Sequence, residues 1–431
     1  MEIDSFSHFD QTGISYRMDD EVLIVGAGLA GLCCALRLQQ SNVRFRILEA
    51  ADGVGGRVRT DRVDGFQLDR GFQVFLIAYP EAKKLLNYEA LDLRRFEPGA
   101  LVRHGGAFHR LTDPWRRPVQ GLRSVCSPVG TFMDKMRVGL LRSRVLRGTL
   151  EDRFRGPETT TLQALQSSGF SSAMIDRFFR PFLGGIFLDA ELQTSSRMFE
   201  FVFRMFSTGD ATLPGLGMGA IPRQLASGLP TDSVQLNTKV VSVDKRSVQL
   251  SSGEILRRRA IVIATEGAAA TRLLGEAIPN AGQGVTCLYF AADRSPVDEP
   301  LLVLNGEGRG PVNNLCVPSI AAPHYAPEKQ HLVSATVLGI HPTDDASLQA
   351  AVREQLVGWY GPEVNRWRHL RTYRIPYALP RQSPPALSVP ERPVRWQEGL
   401  YICGDHLDNA SIQGAMVSGR RAAEAFLEDF T

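Results

Sequence analysis

Val22 to Val25 form an unbroken apolar run of strand-forming residues, bounded by Glu21 and Gly26. Such a run predicts a central parallel strand covered on both faces. From Leu29 to about Gln40 the apolar residues Leu32, Ala35, Leu36 and Leu38 predict a helix. A second strand is expected over Val43 to Leu48, ending in Glu49. Between the first strand and the helix stands Gly26-Ala27-Gly28-Leu29-Ala30-Gly31. Gly26 allows the tight turn, Gly28 lets backbone approach a pyrophosphate, and Gly31 lets the helix lie close on the strand. The helix N-terminus offers N–H groups and a positive dipole end to phosphate. Glu49 suits the ribose hydroxyls of an adenosine. A second glycine turn, Gly53-Val54-Gly55-Gly56-Arg57, follows at once, and Arg57 offers a planar cationic fork for phosphate oxygens.

The pattern then changes. Phe66 to Phe75 reads as a short strand, a glycine bend at Gly71 and an aromatic segment. Helix is expected over Glu81 to Tyr88, short strands around Ala100 to Phe108, and a turn at Pro114 to Pro118. A basic stretch carries Lys135, Arg137, Arg142, Arg144, Arg147, Arg153 and Arg155. Its apolar residues, Met133, Met136, Leu140, Leu141, Val145 and Leu146, do not separate from the arginines on one helical face. A solvated basic face and a helix lying on an anionic membrane both stay open. The aromatic block from Phe178 to Phe206 suits a core or the wall of a greasy pocket. Strands are expected at Val234 to Leu236, Lys239 to Asp244 and Ser247 to Leu250. Ile261 to Ala264 is a further buried parallel strand. Val285 to Ala291, Leu301 to Leu304, Asn314 to Val317 and Leu332 to Leu338 suggest a second sheet, covered by a helix over Ser347 to Tyr360. Gly306 to Gly310 mimics a nucleotide turn, but Pro311 follows and no helix, so it reads as a loop. Leu400 to Cys403 ends in Gly404-Asp405, and a helix starts near Ser411-Ile412-Gln413-Gly414-Ala415 and runs to about Glu428.

The chain of 431 residues, 43% hydrophobic, is long enough for two domains. A net charge of +3 gives no polyanion signature, so nucleic acid is not an expected partner. The six cysteines show no CxxC spacing and the eight histidines no HExxH, so neither a disulfide framework nor a metal site is expected. No apolar run reaches the ~20 residues of a spanning helix. Residues 1–18 read as a disordered extension, with Met18 a natural start, and no secretory signal is apparent.

With the glycine turn, Glu49 and Gly55-Gly56-Arg57 together, the sequence resembles the flavin-dependent amine oxidase superfamily, which includes protoporphyrinogen oxidases and phytoene desaturases. The C-terminal Gly404-Asp405 and Gln413-Gly414-Ala415 resemble its flavin signature. The resemblance implies FAD as cofactor, and an α/β fold: a discontinuous Rossmann-like FAD-binding domain (19–79, 209–283 and 394–431) with a mixed α+β substrate domain (80–208 and 284–393). It implies that Gly71, Phe72, Gln73 and Val74 line the flavin ring and that Val240 contacts adenine. Asp405 can accept a hydrogen bond from a ribityl hydroxyl. The expected cofactor-binding set is then Gly26, Gly28, Leu29, Ala30, Gly31, Glu49, Ala50, Gly55, Gly56, Arg57, Gly71, Phe72, Gln73, Val74, Val240, Gly404, Asp405, Gln413, Gly414 and Ala415.

The expected activity is hydride transfer from a hydrophobic cyclic or polyene-like substrate to flavin N5, with oxygen, a quinone or another acceptor reoxidising the flavin. Amine oxidases of the superfamily commonly carry a lysine near N5, and the matching strand, Gly284 to Phe290, has none. That places amine or amino-acid oxidation second, beside a non-redox isomerase or scaffold. No catalytic acid or base stands out. The expected setting is the cytoplasm or an organelle interior, with peripheral membrane contact open.

Overall fold

The computed structural model describes residues 8–9, 15–16, 21–119, 127–275 and 281–430. Of the N-terminal extension, only a two-residue ladder, His8–Phe9 against Ser15–Tyr16, falls within the described residues. The chain divides into two compact units. The first comprises Met1–Val58, Ile221–Ala281 and Glu391–Thr431; the second comprises Arg59–Ala220 and Gly282–Pro390. Among the described residues no helix is long and apolar enough to cross a membrane.

The first unit is built on a six-stranded sheet, in the order Val234–Gln235, Phe45–Leu48, Val22–Val25, Ala260–Ile263, Leu400–Ile402 and Arg395–Gln397. The first five run parallel and the last is antiparallel. Val22–Val25 and Ala260–Ile263 are buried throughout, which is why both read as unbroken apolar runs. The helix Leu29–Gln40 and the C-terminal helix Ile412–Phe430 pack closely, because Gly419 has no side chain where the two meet. A Cβ there would lie 2.0 Å from the Ala30 carbonyl oxygen. A small antiparallel sheet, Val240–Asp244, Ser247–Leu250 and Ile255–Arg257, shares a hydrophobic cluster with the main sheet.

The second unit holds a seven-stranded sheet ordered Ala107–Thr112, Gly99–His104, Leu302–Asn305, Val312–Cys316, His331–Leu338, Gly282–Ala292 and Arg368–Pro380. Helix Asp345–Tyr360 covers it through Leu348, Val352, Leu356 and Trp359. A helical portion contains Phe132–Leu146, Thr161–Ser167, Arg180–Phe187 and Ser196–Thr208. Phe179, Phe199 and Phe201 are core, while Phe178, Phe182, Phe203 and Phe206 are only half-buried, so the aromatic block serves two faces. Tyr373 lies within the single long strand Arg368–Pro380 and donates to Asp61 at 2.8 Å.

Residues 59–79 and 209–220, expected with the dinucleotide unit, fall in the second unit instead. Their hydrogen bonds give the reason. The hairpin Thr60–Val63/Phe66–Asp69 places the Asp69 carboxylate where Thr60 Oγ1, Met218 N–H and Tyr325 O–H all donate to it. Tyr289 O–H donates to the Asp69 carbonyl at 2.9 Å. The strand Ala211–Pro214 lies between Phe75–Leu76 and Leu93–Arg95.

Candidate functional site

In the first unit Val25 is level with Leu48 on one side and Ile263 on the other, and Ile263 is level with Ile402. The parallel strands therefore end together, and Gly26, Glu49, Ala264 and Cys403 follow at one edge. In open parallel sheets ligands bind beyond this carboxyl edge.

Gly26 takes φ +108°, and a Cβ on it would lie 2.9 Å from the Ala264 carbonyl oxygen, so only glycine makes this turn without strain. A Cβ on Gly31 would fall 2.0 Å from the Gly26 carbonyl oxygen, which fixes how closely the helix hugs the turn. Gly28 is different: nothing lies within 4 Å of where its Cβ would be. It is also the N-cap of Leu29–Gln40, with no side-chain cap and no acid in the first turn. A helix N-terminus whose first N–H groups are uncapped by any side chain, with open space before it, is suited to phosphate. Leu29 and Ala30 are the first buried residues of that helix.

Glu49 sits at the end of the second strand and ties two loops together. One carboxylate oxygen accepts from Ala27 N–H at 2.7 Å, the other from Ala51 N–H at 2.8 Å. Its own carbonyl accepts from Thr238 N–H at 2.8 Å, bringing the chain that leads to Val240 alongside. Ala50 is exposed beside it. The second glycine turn is held by Gly55 N–H donating to the Ala27 carbonyl at 2.8 Å, so Gly28 and Gly55 lie side by side. A Cβ on Gly56 would lie 3.5 Å from the Gly28 Cα.

Arg57 leaves this turn and pairs with Asp405 at 2.7 Å, across a separation of 348 residues. Asp405 is buried at the end of the Leu400–Ile402 strand, where Gly404 takes φ +149° and donates its N–H to Ser418 Oγ at 2.9 Å. Gln413 and Gly414 open the C-terminal helix, Ala415 follows, and a Cβ on Gly414 would fall 2.0 Å from the Asn409 carbonyl oxygen. Glu266 stands at the N-cap position of the helix Gly267–Leu274 without a side-chain cap; burial raises its pKa, with Arg57 acting against the rise.

One residue here is missing from the sequence expectations. His406 is 2% exposed, and neither ring nitrogen has a hydrogen-bond partner among the described residues. Burial pushes its pKa down to about 4, so the ring is neutral at pH 7. Two orphaned ring nitrogens beside the Arg57–Asp405 pair are what a site built for a further polar group leaves behind. Together with the open cradle at Gly28, they fit a large phosphate-bearing cofactor such as FAD.

Gly71, Phe72, Gln73 and Val74 stand in the second unit. Gly71 has φ +84°, and a Cβ there would lie 3.0 Å from Ile375 Cδ1. Phe72 to Val74 are half-buried, Phe72 meets Phe96 edge-on with centroids 6.3 Å apart, and the Gln73 amide donates to the Arg70 carbonyl at 3.3 Å. The strand Gly282–Ala292 is buried from Val285 onward and contains no lysine, histidine or carboxylate. Cys287 is kept as a thiol by burial, with Ser334 Oγ at 3.3 Å. That strand offers no charged acid or base.

Comparison with known proteins agrees with this geometry. The flavin containing amine oxidoreductase family matches residues 29–427. A coproporphyrinogen III oxidase from Propionibacterium freudenreichii subsp. freudenreichii is 23% identical over 94% of this chain and 90% of its own. Among solved structures, an oxidoreductase from Methanosarcina mazei superimposes with a TM-score of 0.73 at 17% identity, covering 95% of this chain and all of its own. Putrescine oxidase bound to putrescine does so with a TM-score of 0.68 at 16% identity, over 95% and 99%.

Proposed function

The chain belongs to the flavin-containing amine oxidoreductase family and is an FAD-dependent oxidoreductase, and within that family we propose that it oxidises a cyclic, largely apolar substrate of the porphyrinogen type rather than an amine. The observation that carries this reading is the pairing of a porphyrinogen-oxidising relative along nearly the whole chain with a lysine-free buried strand at Gly282–Ala292. A porphyrinogen loses hydride from carbon bridges between its rings, and the proton that follows is acidic enough to pass to water. Such a reaction needs a dry, apolar, well-shaped cavity more than it needs a base.

FAD, when bound, supplies the two-electron acceptor for the substrate hydride, and oxygen, a quinone or another acceptor then takes the electrons. The protein's part is to hold and orient. Gly26, Gly28 and Gly31 with the helix N-terminus at Leu29 and Ala30 receive the pyrophosphate. Glu49, Ala50 and Val240 face the adenosine end, and Gly55, Gly56 and Arg57 close over the phosphates. Gly404, Asp405 and the start of the C-terminal helix at Gln413, Gly414 and Ala415 serve the ribityl chain and the flavin edge, where N–H groups stabilise negative charge.

The test is anaerobic reduction of the purified yellow holoenzyme by a reduced tetrapyrrole, by a polyene and by a diamine. Bleaching of the flavin by coproporphyrinogen or protoporphyrinogen is expected. Bleaching by diamines alone overturns the substrate reading in favour of amine oxidation. Bleaching by none, with FAD tightly held, supports a non-redox role.

A further inference from the structure

Among the described residues thirteen large hydrophobic side chains are exposed, and seven of them lie between residues 115 and 146. The other six are scattered through the chain. Single exposed apolar residues need no explanation, but a cluster does.

The cluster centres on the helix Phe132–Leu146, whose apolar residues divide between two faces. Leu141 and Val145 point inward with Asp134. Phe132, Met133, Met136 and Leu140 are each at least half exposed and, at 100° per residue, share one outward arc. Trp115 extends the arc: it is 50% exposed, and its ring lies 3.2 Å from where a Cβ on Gly139 would be. Val119 is exposed a few residues further on.

Basic residues border the arc on both sides. Arg137 and Arg144 flank it on one side, Lys135 and Arg142 on the other, and exposed Arg147 continues it at the C-terminal end. Arg142 lies over the Trp115 ring at 5.3 Å. The only acid in the helix, Asp134, is buried and accepts from Thr131 N–H at 2.7 Å and Ser171 N–H at 2.8 Å, so it anchors the helix rather than facing out. Neighbouring carboxylates pair with part of this charge: Arg137 lies 3.5 Å from Asp134. Arg144 and Arg153 share Glu200, and Arg116 and Arg142 share Asp113. From residue 127 to 156 there are seven Lys and Arg against three Asp and Glu.

We propose that this face, formed by Phe132, Met133, Met136, Leu140, Trp115 and Val119, is a docking surface for an anionic lipid bilayer, with the helix lying in the interface plane. An apolar strip with lysine and arginine on both flanks places side chains among the acyl chains while the basic stems reach anionic headgroups. A tryptophan at the strip's edge suits the headgroup level. A second copy of the chain would present the same positive rim against itself, so charge complementarity favours lipid over self-association.

The experiment is flotation of the holoenzyme with vesicles of phosphatidylcholine alone or with about 25% phosphatidylglycerol. Binding to the anionic vesicles and little to the neutral ones is expected. The double variant Met136→Glu/Leu140→Glu changes only exposed positions, so FAD absorbance and melting temperature should hold while the bound fraction falls roughly ten-fold. Trp115→Phe should abolish a lipid-induced blue shift in tryptophan emission. The proposal is overturned if the double variant floats as well as the wild type, or if the wild type ignores anionic vesicles. It is equally overturned if light scattering finds a dimer that the double variant dissociates and that binds no lipid.

Discussion

Replacing Glu49 by glutamine isolates the tie between the glycine turn and the rest of the site. The side chain keeps its size and stays 9% exposed, so packing changes little. In the native chain its two oxygens accept from Ala27 N–H at 2.7 Å and Ala51 N–H at 2.8 Å. Glutamine has one acceptor. Whichever way the amide sits, its NH2 faces a backbone N–H that then has no acceptor. Leaving that donor buried and unpaired costs ~1–3 kcal/mol, and the surviving bond loses its charge, for roughly 1 kcal/mol more. The sum is about 2–4 kcal/mol, directed at Ala27, between the two glycines of the turn, and at Ala51, which leads to Gly55 and Arg57. At about 2–4 °C per kcal/mol for a domain of this class, the first unit should melt roughly 4–16 °C lower. FAD affinity should fall at least ten-fold, equivalent to about 1.4 kcal/mol. Scanning calorimetry of the holoenzyme and FAD titration of the apoprotein read the two effects. If Glu49→Gln melts within about 1 °C of wild type and holds FAD equally well, the two backbone hydrogen bonds are not what keeps the turn in place.

Other substitutions probe neighbouring parts of the site. Asp405→Asn removes the charge that Arg57 meets at 2.7 Å; a hydrogen bond to a charged group contributes ~1.5–3 kcal/mol, and FAD affinity by titration should fall with it. His406 has a folded pKa of about 4 against an ordinary 6.5, chiefly because it is buried, so protonation favours the unfolded chain. Its contribution is intact above pH 6.5 and is lost as pH falls toward 4, about 3 kcal/mol in all; His406→Phe should flatten the decline in melting temperature over that window, and an unchanged slope would exclude it. Two glycine-to-alanine changes should act in opposite directions. Gly419→Ala puts a Cβ 2.0 Å from the Ala30 carbonyl oxygen and should destabilise by ~1–3 kcal/mol, whereas Gly358→Ala, with nothing within 4 Å, should stabilise its helix by ~0.5–1 kcal/mol in denaturant titrations.

The first unit was legible because its determinants are local. An apolar strand, a turn that only glycine can make and a helix start are all set within a dozen residues, and the predicted helix Leu29–Gln40 matches the observed one. The Arg57–Asp405 pair lies beyond any window of sequence, and only the resemblance to a family put both residues in one site. His406 was missed because nothing about an imidazole between Asp405 and Leu407 announces its burial. Residues 59–79 and 209–220 were grouped with the wrong neighbours for a related reason. Asp69 reads as the end of a short strand, and the donors that hold it in the second unit, Met218 and Tyr325, come from two distant segments.

The helix Phe132–Leu146 shows a different kind of illegibility. An amphipathic helix is recognised by one apolar arc opposite one polar arc, and this helix has two apolar arcs separated by basic residues. Averaged around the axis, the arcs oppose each other, so the pattern reads as mixed and a solvated basic face is the natural inference. The structure separates them through a residue that hydrophobicity scales count as polar. Asp134 is fully buried because its carboxylate closes the capping box with Thr131 and accepts from both the N–H and the hydroxyl of Ser171. Those bonds draw its pKa down to about 2 against the opposing pull of burial, so the anchor remains ionised at any physiological pH. With Asp134 fixed inward, Leu141 and Val145 must follow on the same side. Phe132, Met136 and Leu140 are then turned outward by geometry rather than by any preference of their own. A buried acid at the start of the helix therefore determines which of two greasy faces the protein keeps and which it presents.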